Sequence, residues 1–166
     1  MTDELIEYRA MFEAIERRVT GEVDTGSRWR VRVTVAISVA VVALFFSHTG
    51  GATGWSVYMY TDAARAEAVG PLSMLFVHAS AVLCVAGSIA ALVAHRFPIV
   101  CAAAAGCAMT AILGVLAIWS RQTLPAGSGL SGPGLGTVIG ALAALVLAGH
   151  WIGALVRPPM RSGAPV

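Results

Sequence analysis

The sequence predicts an all-α membrane protein, a bundle of four transmembrane helices preceded by an amphipathic helix on the cytoplasmic side. Three observations predict it. The chain is 57% hydrophobic and 12% charged, against about 45–50% and about 25% for an ordinary soluble domain. Its mean hydropathy is +0.78. Its acids are confined to one end: seven of nine lie before residue 25, and Asp62 and Glu67 are the other two. A stretch without carboxylates after Glu67 excludes two-carboxylate catalysis there, and the net charge of +2 gives no electrostatic footprint for a nucleic acid.

About 20 mainly apolar residues cross a bilayer core, and four segments meet that length, at about 29–47, 71–94, 98–119 and 136–156. None carries a charge in its apolar interior, and lipid demands that the backbone be satisfied within each segment, so helices are expected. Pro98 suits a first turn, where its missing N–H costs nothing. Domain organisation follows: 1–28 is an acidic amphipathic segment, 29–156 the bundle, and 157–166 a short cytoplasmic tail.

All eleven basic residues are arginine, and their placement sets the orientation. With a cytoplasmic N-terminus, Arg28, Arg30, Arg32, Arg96, Arg157 and Arg161 fall on inner flanks and Arg65 and Arg121 outside. The positive-inside rule then gives N-in and C-in in a bacterial plasma membrane. No signal peptide is expected, because the first apolar run follows an acidic segment.

The connections differ in kind. His95-Arg96-Phe97 is a tight inner turn between two antiparallel helices. The outer loop at 48–70 holds Trp55, Tyr58 and Tyr60, suited to an aromatic belt. The second outer loop, Ser120 to Leu135, is rich in glycine and is expected to be mobile. Asp62, Glu67, His48, Tyr58, Tyr60 and Arg121 are expected to share an outer polar patch, which makes a binding surface but no recognisable active site.

In the N-terminal segment Leu5, Tyr8, Phe12, Ile15 and Val19 step by 3, 4, 3 and 4. That seam is the candidate partner-docking face; the plainer alternative packs it on the inner ends of its own bundle. Ser80, Cys84 and Ser88 form a small-residue stripe, as do Gly106, Thr110 and Gly114, and Gly140, Ala144, Ala148, Gly149 and Gly153 on the last helix. Such stripes bring helices close together. Cys84 and Cys107 fall at similar depth, placed to face each other across the inner turn or, in the plainer reading, to serve as small inert hydrophobes, and Ser88 falls level with His150 as a hydrogen-bond candidate.

Intramembrane ionisable groups are functional candidates by default. His78 and His150 are the haem candidates, but they differ in depth by roughly 10 Å at 1.5 Å per residue, which disfavours one haem held by both. His48, Met74 and His78 are the metal candidates, thioether and imidazole suiting copper. In the plainer reading His78 bonds a neighbouring helix and Met74 is filler. No cofactor is called for.

Trp119-Ser120-Arg121-Gln122-Thr123, Gly132-Pro133-Gly134 and His150-Trp151 resemble uncharacterised four-helix integral membrane proteins of actinobacteria, of the mycobacterial kind. The resemblance covers the last 100 or so residues and implies a plasma membrane but no activity. The functional expectation is a non-enzymatic accessory or scaffold subunit of an envelope or respiratory assembly. Its partners would be the lipid bilayer and a membrane protein or a second copy, with no nucleic acid. The alternatives are a haem- or metal-binding redox membrane protein using His78 and His150, and a small transporter.

Overall fold

The computed structural model describes residues 8, 11, 12, 27–125 and 127–156. Four long helical rods run antiparallel, and a small folded cap closes one end. The first, α1 (Ser27–Ala43), leads into the hairpin β1 (Ser47–Thr49) and β2 (Ala52–Thr53), followed by two short helices, α2 (Gly54–Tyr58) and α3 (Asp62–Ala66). The second rod is α4 (Pro71–Ala79), a π-helical segment at Ser80–Ala86, and α5 (Gly87–Ala94). The others are α6 (Phe97–Gln122) and α7 (Leu135–Val156).

The expected first helix is cut short. The apolar run at 29–47 predicts a continuous helix, but α1 stops at Ala43 and Ser47 enters a strand. The cap recruits the end of the helix: Trp55 N–H donates to Leu44 O at 2.7 Å and Gly54 N–H to Phe46 O at 3.2 Å. A Cβ on Gly54 would sit 2.8 Å from Leu44 O, so the close approach requires glycine. Three rods, 71–94, 97–122 and 135–156, are long and apolar enough to cross a membrane by length and composition.

The main core joins all four rods through Trp29, Val33, Ile37, Cys84, Val100, Cys107, Leu147 and Trp151. Trp29 and Trp151 meet edge to face with centroids 5.0 Å apart, a favoured aromatic geometry. A second cluster under the cap contains Ala52, Val57, Ala64, Val69, Phe76, Val77, Ala117 and Ala141. The small-residue stripe on α6 does what its spacing predicts. A Cβ on Gly114 would lie 2.7 Å from Ala141 Cβ, and one on Gly106 would lie 3.1 Å from Leu83 Cβ. On α7 the stripe divides, since a Cβ on Gly149 or Gly153 would meet nothing within 4 Å.

His95 takes a left-handed conformation (φ 53°) and ends α5, making the sharp turn into α6. Cys84 and Cys107 do face each other, with sulfurs 3.7 Å apart. Ser88 does not pair with His150. Its hydroxyl accepts the Trp151 indole N–H at 2.9 Å, while His150 Nδ1 lies 2.8 Å from Val146 O in its own helix.

Candidate functional site

Among the described residues, a cluster of buried polar groups lies at the capped end, around Arg121. This arginine closes the last turn of α6 and is 5% exposed. Its Nη2 donates to Thr49 Oγ1 at 2.6 Å and to Ser131 O at 2.8 Å. Its Nη1 donates to Glu67 O at 3.1 Å. Glu67 Oε2 stands 3.6 Å from Nη2 and also accepts Ser131 N–H at 3.3 Å, while Oε1 accepts Gly51 N–H at 3.2 Å. A buried guanidinium is tolerated when its charge is paired; three loops engage both Nη groups, while Nε has no hydrogen-bond partner among the described residues.

Thr49 is the relay between these loops. It is fully buried, and its hydroxyl lies 3.1 Å from Ser131 O and 3.0 Å from Gly132 O. An isolated bridge joins Thr49 to Pro133. Next to it, His48 O accepts both Gly134 N–H at 2.7 Å and Thr137 Oγ1–H at 2.7 Å. The segment expected to be mobile is therefore pinned at 131–134 by the hairpin. Gly50 has φ +49° and faces Glu67 and Ser131 so closely that a Cβ would collide with both.

His48, expected on an outer binding surface, is buried instead. It is 3% exposed, and its ring stacks on Phe76 with centroids 5.9 Å apart. Burial first, and then the positive charge of Arg121, push its imidazole down to about 4. It is neutral at ordinary pH.

The other candidates scatter. His78 is exposed, with Nδ1 2.8 Å from Met74 O, and its ring stacks on Tyr58 at 4.7 Å. His48 lies instead against Phe76, which points inward, two residues and half a turn away. Among the described residues no group of three or more His, Cys, Asp or Glu is arranged to hold a metal ion. Of the docking seam, Tyr8 and Phe12 are described, helical and exposed; Leu5, Ile15 and Val19 lie outside the described residues, as does the tail at 157–166. Of the outer patch, Glu67 and Arg121 do pair, whereas Asp62 pairs with Arg65 at 2.9 Å on the surface. Sequence reasoning missed Thr49, Ser131 and Thr137, because lone hydroxyls in short connections have no periodicity to mark them.

The site can position loops, and it offers no activated nucleophile and no acid–base pair among the described residues. Its wider context comes from relatives. The MiaB C-terminal domain family matches residues 9–161. The chain belongs to that family. The tRNA-2-methylthio-N(6)-dimethylallyladenosine synthase of Mycobacterium avium (strain 104) is 41% identical over 143 residues, 86% of this chain and 20% of the synthase. The chain thus spans about one fifth of the length of that relative. No solved structure matches it.

Membership in the MiaB C-terminal domain family corrects the sequence reading at several points. It replaces the resemblance to four-helix integral membrane proteins, and the bundle of four transmembrane helices is withdrawn with it. A helix that is apolar all round fits the interior of a large protein as well as a bilayer, so length and hydropathy alone did not discriminate. The accessory or scaffold subunit of an envelope or respiratory assembly, the haem or metal redox protein and the small transporter are all displaced by kinship with a tRNA-2-methylthio-N(6)-dimethylallyladenosine synthase. The lipid bilayer and membrane-protein partners, the exclusion of nucleic acid, and the N-in, C-in plasma-membrane placement fall for the same reason.

Proposed function

We propose that this chain is a domain of a tRNA-modifying enzyme and serves the 2-methylthiolation of N6-dimethylallyladenosine in tRNA, in the cytoplasm where tRNA is found. The observation that carries this reading is the 41% identity to the synthase across 86% of the chain, supported by the family match over residues 9–161. The matched region is 20% of that synthase, so the remaining four-fifths is where the reaction chemistry is assigned in this reading. The present domain supports that body, and the substrate reached through it is a tRNA adenosine.

The test is an in-frame removal of residues 9–161 in the host, followed by nucleoside mass spectrometry of digested tRNA. Loss of the 2-methylthio nucleoside, with accumulation of its unthiolated precursor, is the expected result. An unchanged ratio of the two nucleosides overturns the proposal.

A further inference from the structure

Beneath the cap is a small cavity between α1, the second rod and α7. Its wall includes Ala40, Phe76, Gly140 and Cys84, together with His48 and Ser80. Most of this wall is apolar, yet two of its residues, His48 and Ser80, each carry a buried polar atom, Nε2 and Oγ, with no hydrogen-bond partner among the described residues. His48 is 3% and Ser80 5% exposed. Buried polar groups are almost always satisfied, so two orphans on one wall call for a common partner.

Both residues line this one cavity. The His48 ring stacks on Phe76, and Ser80 follows Phe76 by four residues, one turn along the same face. The Ser80 backbone N–H is already engaged with Phe76 O and Val77 O, which leaves the hydroxyl as the open group. The cavity measures about 10 Å³ on the scale where one water needs roughly 10–15 Å³. That is room for a single heavy atom and excludes any larger ligand. A water both donates and accepts, so it satisfies a neutral imidazole nitrogen and a hydroxyl whichever role each takes.

We propose that the cavity binds one ordered water molecule, bridging His48 Nε2 and Ser80 Oγ and so tying the hairpin to the second rod where its π-helical segment begins. The site is independent of the tRNA reading, and its test leaves that reading untouched.

Water-selective nuclear Overhauser spectroscopy on the isotope-labelled full chain tests it. A cross-peak between water and the His48 ring is expected, and it disappears in Ser80→Ala. Absence of the cross-peak in the parent chain overturns the proposal. Persistence of the cross-peak in Ser80→Ala overturns the bridge.

Discussion

Arg121 Nη2 and Thr49 Oγ1 lie 2.6 Å apart although 72 residues separate them in sequence. The bond is buried, and it is the shortest link between the end of α6 and the hairpin that caps α1. The capped end is thus held by one cation and its carbonyl and carboxylate partners, with a small apolar cluster beneath.

Removing that cation takes the ion-pair partner from Glu67 and a donor from Thr49 Oγ1 and from the carbonyls of Glu67, Ala68 and Ser131. Breaking a buried pair from one side costs about 3–5 kcal/mol. Arg121→Met is expected to lose stability at the lower end of that range, because Glu67 keeps some solvent contact. Urea unfolding measures it, and a loss below about 1 kcal/mol, the level of an ordinary exposed ion pair, contradicts the role given to Arg121.

Gly50 and Gly51 are adjacent and predicted to respond differently. Gly50→Ala forces a left-handed residue against Glu67 and Ser131 and is expected to cost about 1–3 kcal/mol. At Gly51 a Cβ meets nothing within 4 Å, so Gly51→Ala should stay within about 0.5 kcal/mol of the parent. Equal thermal shifts for the two variants would count against the described turn.

His48 makes stability depend on pH. Its ring titrates near 4 in the fold rather than at the ordinary 6.5, so between those values the unfolded chain binds the extra proton. Stability contributed by the neutral ring is whole above pH 6.5 and is lost as pH falls toward 4, by at most about 1.4 kcal/mol per unit. His48→Gln should flatten that part of the curve relative to the parent. A parent and variant with parallel curves between pH 4 and 6.5 would refute the buried neutral ring.

The three thiols should also separate. Cys84 and Cys107 are buried against each other, whereas Cys101 is partly exposed. Brief maleimide treatment of the folded chain is expected to label Cys101 several-fold faster, as peptide mass mapping would show. Equal labelling without denaturant would mean that the core opens readily.

The length of the apolar runs made the rods legible, from Pro71 onward to within three residues. The close contacts at Gly106 and Gly114 were legible in the small-residue spacing: a step of four keeps one face in register. The cap was not. Strands of three and two residues are too short for alternation to show, and Leu44 to Phe46 continue an apolar run past the point where the helix ends. Glu67 and Arg121 were grouped with Asp62, His48, Tyr58 and Tyr60 in one outer patch, but neither their pairing nor the hydroxyl and carbonyl partners were legible, because tertiary folding alone brings them together. The family was illegible for a different reason. A helix apolar on all sides reports that it avoids water, and not what it meets instead.

The spread of partners around Arg121 also sets an order of events. Residues 49, 67, 121 and 131 are distant along the chain, so closing their circuit requires the rods to be paired already, and the entropy of those long closures delays it. The α5–α6 turn, by contrast, joins neighbours and can nucleate early. Contacts that form after the transition state govern how fast a protein comes apart rather than how fast it assembles. The guanidinium is therefore a brake on unfolding: Arg121→Met should raise the unfolding rate while leaving the folding rate almost unchanged.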